Sequence, residues 1–307
     1  MLFDFINIDI KTQHKIANFY KNDVLYMLQK NFSDIIEEEG TIFQNREVFD
    51  YTYTPEVLKY RDKQMEQIIW LSHKPIDDFT PLNMEFTGNV ATGKTTTVMK
   101  YFELMKDKYG DIVETVLINC NMNRTEHRIY TRIHEELMGK PDKKNGLNIF
   151  DIYESVISYL VKNNKILIVA LDDYDHITNT DLNKTLYSLT RAYENRKHAR
   201  ICVITITNRR RQIILSPAVS SSLQAHEIYF NDYSAEDIFY ILRDRCRLGF
   251  YDNVISESVI MHAARLTYHN GDLRSGIRLV YDAGRIAESE GYRKVFKKHL
   301  NNINKEY

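Results

Sequence analysis

Between residues 83 and 230, five short apolar runs (NMEFTG, TVLINC, ILIVAL, ICVITITN and EIYF) are separated by segments long enough to be helices. Strands that alternate with helical segments imply parallel β-strands joined by crossover helices, so this part of the chain is expected to form an α/β sheet with flanking helices. After Tyr233 the strand signals stop, and SAEDIFYILRDRCRLGF, ESVIMHAARLTY and LRSGIRLVYDAGRIAESE carry only helical periodicity. A small all-helical lobe therefore follows the α/β lobe. In its last segment Ile277, Val280, Ala283, Gly284 and Ala287 recur on one face, which leaves Arg278, Arg285 and Glu288 for water.

The expected organisation is a polar helical extension over 1–41, an α/β domain over 42–231, a helical domain over 232–300 and a tail over 301–307. The extension carries no chemistry and reads either as a packing helix or as a partner-binding one. Residues 42–80 move from a Tyr-rich extended stretch into a helix expected to start after Pro55.

Forty-one basic against forty-two acidic residues give a net charge of −1, so any nucleic-acid contact must come from a local patch. Cys120, Cys202 and Cys246 are far apart and form no C-x-x-C pair, which argues against a disulfide framework or a zinc site and for a reducing cytoplasm. No apolar run approaches the roughly 18 residues of a membrane helix, and a membrane partner is not expected.

GNVATGKT, from Gly88 to Thr95, has the G-x-x-x-x-G-K-[ST] spacing of a phosphate-binding loop, and it lies between an apolar run and a helical segment. In such a loop the glycines let backbone N–H groups face phosphate oxygens, Lys94 neutralises the outer phosphates, and the Thr95 hydroxyl ligates magnesium. Asp172 directly follows the run ILIVAL and suits a magnesium ligand, while Asp173 would polarise the attacking water; the alternative is two solvated aspartates capping a loop. Asn208, at the end of the next run, could reach the outermost phosphate or simply form a turn. Arg274 of HNGDLRSG could bend back onto the phosphates or face water.

The order and spacing of these pieces resemble the AAA+ ATPases, and more narrowly the archaeal and eukaryotic origin-recognition and cell-division-control initiators. The narrower likeness rests on YTPEVLKYRDKQ, VLINCNMNRTEHRIYTRIHEEL, LDDYDHI, LSPAVSSSLQAHEIYFNDYSAEDIFYILRDR and NGDLRSGIRLVYDAGRIAE, which span about residues 42 to 295. The resemblance implies ATP or ADP with Mg2+ gripped between an α/β lobe and a helical lid. It gives Gly88, Thr92, Gly93, Lys94, Thr95 and Thr96 to the phosphates, Asp172 with Thr95 to magnesium, Asp173 to the water-activating position, Asn208 to the first sensor and Arg274 to the second. Tyr233 and Arg245 match lid positions at which the family contacts nucleotide; on the residues alone they read equally as lid packing and a solvated helix face.

The family usually has Glu at 173, Gly at 91 where this chain has Ala91, and an Arg in the stretch Ala218 to Ser222. The shorter acid and the missing Arg imply slow hydrolysis, or a site that mainly holds nucleotide. Family members also continue into a C-terminal winged helix, whereas this sequence runs to Tyr307, just past the lid. Arg124, Arg128 and Arg132 fall every four residues, in a segment matching the family's DNA-facing insertion; the alternative is a solvated face paired with Glu135 and Glu136. Arg209 to Arg211, Arg196 to Arg200 and YRKVFKKHL are weaker basic patches.

The expected function is an ATP-binding, nucleoid-associated replication initiator acting on double-stranded DNA at origins with a replicative helicase or other initiator subunits. A nucleotide-holding regulator or scaffold is the alternative. A small-molecule kinase is disfavoured by Asn208 and GDLR.

Overall fold

The computed structural model describes residues 41–77, 82–140, 148–208 and 214–303. The expected extension before residue 41, the basic patch at 209–211 and the last residues of the tail lie outside them. All five apolar runs form strands: β1 (Met84–Gly88), β2 (Val113–Asn119), β3 (Ile166–Asp172), β4 (Arg200–Thr207) and β5 (His226–Phe230). They make one parallel sheet in the order β2-β3-β4-β1-β5. In β3, Ile166 to Leu171 are buried without a break, because helices cover both faces of a central parallel strand; β5, at the edge, buries only Ile228 and Phe230.

The helices of this lobe are α1 (Asp62–Asp77), α2 (Lys94–Tyr109), α3 (Glu126–Met138), α4 (Ile149–Lys162), α5 (Asn179–Thr190), the short α6 (Ala192–Asn195) and α7 (Pro217–Leu223). α2 turns Val98, Tyr101 and Met105 to the sheet at helical spacing. α1 begins at Asp62 and not after Pro55. Tyr60 has φ 63°, a left-handed conformation that stops a helix from running through it, and Asp62 places an acid in the first turn, where the helix dipole favours one.

From β1 the chain crosses to the far edge and returns to fill β3 and β4 before reaching β5. The carboxyl ends of β3, β4 and β1 thus stand side by side, which is where open α/β sheets take their ligands.

The helical lobe comprises α8 (Ala235–Gly249), α9 (Glu257–Asn270), α10 (Leu273–Ser289) and α11 (Lys297–Ile303). α8 starts on a reciprocal cap between Ser234 and Asp237, which satisfies two of its free N–H groups. The five small and apolar residues expected on the inner face of α10 are all buried. α11 runs to Ile303, three residues past the expected lobe boundary, with Leu300 and Ile303 buried.

Two features of this lobe depart from the sequence reading. Ile42, Phe43, Val48 and Phe49, counted above with the α/β domain, pack into the helical core, where Phe43 stacks on Phe250 at 4.7 Å. Glu288 does not face water. Its carboxylate accepts from the Ile42 N–H at 2.9 Å and from Arg46 at 2.8 Å, pinning the lead-in to α10. Periodicity gave Glu288 the outer face of α10; the partners that cover it lie some 240 residues earlier. Among the described residues no helix is long and apolar enough to cross a membrane, and the three cysteines are free and buried.

Candidate nucleotide-binding site

The loop from Gly88 to Gly93 joins β1 to α2. Gly88 has φ 145°, and a Cβ there would lie 2.4 Å from the Phe230 carbonyl; Gly93, at φ 85°, would bring one within 2.7 Å of the Tyr233 hydroxyl. Both positions therefore require glycine. Ala91 also has a left-handed backbone, φ 59°, which accounts for the family's glycine there and leaves this loop with about 1 kcal/mol of local strain. The first helical bond of α2 is from Thr97 N–H to Gly93 O at 2.8 Å, so the N–H groups of Lys94, Thr95 and Thr96 have no partner within the helix. They form an anion-binding helix start.

Lys94 is almost fully buried, and its Nζ donates to the Gly88 carbonyl at 2.9 Å and the Asn89 carbonyl at 2.6 Å. Burial brings its pKa down to about 8 against the pull of Asp172 and Asp173, and the positive charges of Arg274 and Arg61 lower it further. Arg274, exposed in the first turn of α10, is thus within electrostatic reach of the phosphate loop. Across the crevice the Thr95 hydroxyl donates to Asp172 Oδ2 at 2.9 Å. Burial raises the Asp172 pKa, and the neighbouring Asp173 charge adds to this, while the Thr95 hydrogen bond and Lys94 oppose it. Asp173 follows at φ 53° and accepts from the Asn208 side-chain amide.

These groups fit a nucleotide with its metal. A buried ammonium partnered by neutral oxygens and a row of free N–H groups suit a polyphosphate. One carboxylate and one hydroxyl suit Mg2+, which takes few protein ligands and completes its shell with phosphate and water. Among the described residues there is no cluster of three His, Cys, Asp or Glu that would suggest a metal held by protein alone.

Other expected residues stand differently. Tyr233 is buried, with its ring 3.9 Å from the Arg61 guanidinium and its hydroxyl against Gly93; it backs the loop. Arg245 donates to the Val48 carbonyl at 2.6 Å and the Tyr53 carbonyl at 3.2 Å and lies over the Tyr53 ring, so it binds the lead-in to the helical lobe. The three arginines do not form one helical stripe. Thr125 caps α3, so Arg124 precedes the helix and its guanidinium folds onto Asn121. Arg132 pairs with Glu135 and Glu136, as the alternative reading had it, and Arg128 is exposed.

Sequence reasoning assigned no role to Arg61, Asn89 or Asp232. Arg61 is 4% exposed and bonds three carbonyls, and the Asn89 amide donates to both carboxylate oxygens of Asp232 at 2.9 and 3.0 Å. The available signal was the stretch YRDKQ, in which an arginine precedes a helix that packs on β5.

A phosphate loop after β1, acids at the end of β3, an Asn after β4 and a helical lobe following the sheet are the arrangement of the AAA+ class. The AAA domain family model matches residues 77–213, and that of the Cdc6 AAA+ ATPase-type lid domain matches 239–304. The chain is 32% identical over 274 residues to ORC1-type DNA replication protein 2 of Methanothermobacter thermautotrophicus, a match covering 89% of this chain and 72% of that protein. It is 33% identical over 281 residues to the ORC1-type DNA replication protein of Pyrococcus abyssi, covering 89% and 67%. Among solved structures, the Aeropyrum pernix ORC1 protein in complex with DNA superposes with a TM-score of 0.76 at 27% identity, over 87% of this chain and 70% of that one. Cdc6p from Pyrobaculum aerophilum gives 0.72 at 25%, over 83% and 69%. The chain belongs to the family of ORC1-type DNA replication proteins.

Proposed function

We propose that this chain is a nucleotide-switched initiator of DNA replication. ATP or ADP held between the two lobes sets the angle between them, and that angle sets the grip on double-stranded DNA at an origin and on a replicative helicase or other initiator subunits. The observation that carries the reading is the convergence of Lys94, Thr95, Asp172, Asp173 and Asn208 on adjoining strand ends, with Arg274 of the helical lobe in electrostatic reach. Its setting is a chain related to a protein solved with DNA.

In this reading Lys94 and the N–H groups of Gly93 to Thr96 hold the phosphates, with Gly88 and Thr92 shaping the loop. Thr95 and Asp172 hold Mg2+, which when bound supplies positive charge against the phosphate oxygens. Asp173 orients a water and is itself steadied by the Asn208 amide. Arg274 brings the helical lobe onto the phosphates. Arg128 is the arginine of its segment left for a DNA phosphate, with Arg124 and Arg132 held by their neighbours.

Turnover is slow in this account, because Asp173 is short and α7 offers serines at Ser220 to Ser222 where a neighbour's nucleotide would need an arginine. Those two observations also favour a second reading, a scaffold that holds nucleotide without turnover. Multiple-turnover phosphate release that disappears in Lys94→Ala rules against the scaffold. The main test is duplex-DNA affinity with and without ATP, in the wild type and in Lys94→Ala. A nucleotide-dependent affinity lost in the variant is the expected result. Equal affinity throughout overturns the switch, and no binding in any condition overturns the DNA role.

A further inference from the structure

Arg61 is a buried charge outside the loop that binds phosphate, and its partners come from three places. Its Nε donates to the Thr92 carbonyl at 2.7 Å, its Nη2 to the Asn231 carbonyl at 2.7 Å and its Nη1 to the Tyr60 carbonyl at 2.9 Å. The guanidinium lies over the Tyr233 ring, 3.9 Å from its centroid. Thr92 belongs to the phosphate loop, and Asn231 to Tyr233 form the link between β5 and the helical lobe. One planar fork therefore spans the loop and the interlobe hinge, a geometry that lysine's single ammonium cannot reproduce.

In a trans peptide the C=O and the following N–H point in opposite directions. By drawing the Thr92 carbonyl toward itself, Arg61 turns the Gly93 N–H the other way. A second tie runs in parallel: Asn89 of the loop donates to Asp232 of the hinge. Gly93 and the Tyr233 hydroxyl leave no room between them even for a Cβ, so loop and hinge are in contact as well as hydrogen-bonded.

We infer that Arg61 is a positioning residue that presents the Gly93 N–H to phosphate and, through Asn231, makes the phosphate loop and the interlobe hinge move together. A shift of the loop on nucleotide binding pulls the hinge through Arg61, with the Asn89 to Asp232 bond as a weaker parallel tie. This deepens the nucleotide-switch reading above and rests on it. It differs from the role of Arg274, which acts on the phosphate side of the loop from the first turn of α10.

The test measures two quantities separately in wild type, Arg61→Lys and Asp232→Ala. One is ADP affinity with magnesium present. The other is the distance between probes at exposed Lys162 and Arg265, read with and without saturating ADP. Arg61→Lys is expected to bind ADP roughly tenfold more weakly, for loss of a charge-assisted hydrogen bond, and at saturation to lose most of the wild-type distance change. Asp232→Ala, at an exposed position, is expected to keep its affinity and show a reduced change.

An Arg61→Lys protein that at saturation moves as far as wild type overturns the inference and leaves the switch standing. Should Arg61→Lys fail to fold, Arg61→Gln decides, because a single side-chain amide cannot bridge the Thr92 and Asn231 carbonyls as the guanidinium does: a reduced change upholds the coupling and a full one overturns it. A wild type that binds ADP with no change in distance sinks the switch reading, and the coupling with it.

Discussion

Asp173 has φ 53° and ψ 43°, a backbone conformation that aspartate tolerates better than longer acids because its short side chain can hydrogen-bond locally. Local geometry thus favours the residue that this chain carries, while reach toward a water favours the family's glutamate. In Asp173→Glu, multiple-turnover phosphate release is expected to rise roughly tenfold with ATP affinity unchanged, because the carboxylate gains one methylene of reach. A rate equal to wild type would show that reach was never the limitation. At this scale, legibility followed sequence distance. Lys94, Thr95 and the glycines stand in one short motif, and Asp172 and Asn208 end apolar runs, so their placement could be read directly. Arg61 meets Thr92 from 31 residues away, and Asn89 meets Asp232 across 143. No local pattern records those meetings.

At the scale of elements, strands were the most legible, since a buried parallel strand needs an unbroken apolar run that few other structures tolerate. Helix starts were less so. Thr125 takes the cap of α3, and that one hydrogen bond removes Arg124 from the helical face. Arg128→Ala is therefore expected to weaken duplex binding and lower its dependence on log salt by about one unit. Arg132→Ala, whose charge is already met by Glu135 and Glu136, should do so less. Equal losses would show that Arg132 meets DNA despite its pairing with Glu135 and Glu136.

α11 supplies a pH dependence. The buried His299 Nδ1 accepts the Phe296 N–H at 3.1 Å, a role that needs the neutral ring. Burial lowers its pKa below 6.5, Lys298 adds to this and Glu290 opposes it. The unfolded chain thus takes up the proton first, so stability is full above pH 6.5, falls as pH drops through that value and levels off below the folded pKa. Thermal midpoints measured from pH 8 to 5 should fall with acid, and less steeply in His299→Gln. Parallel curves would place the titration elsewhere.

On the scale of the whole molecule, the two lobes were legible, but not which lobe the first described residues join. Aromatic residues without clear periodicity carry no signal of the side on which they will be buried, and Phe43 and Phe49 find Phe250 and Tyr281 in the helical lobe. A fragment covering 232–303 leaves that core without four of its apolar members. Since removing even one large buried aromatic costs about 3–5 kcal/mol, the fragment is expected to melt without a cooperative transition. A peptide covering 41–53 should restore one, and cooperative melting of the fragment alone would show that the lead-in is dispensable.

The same arrangement bears on how the protein is made. Val48 and the Arg245 that holds its carbonyl are 197 residues apart. At translation rates of about 5–20 residues per second, the aromatic lead-in emerges about 10–40 s before its partners exist. The α/β lobe can fold on the ribosome in that interval, but the helical lobe cannot be completed until both ends of the described chain are out. Until then, the apolar lead-in residues Ile42, Phe43, Val48 and Phe49 stay unburied in the growing chain.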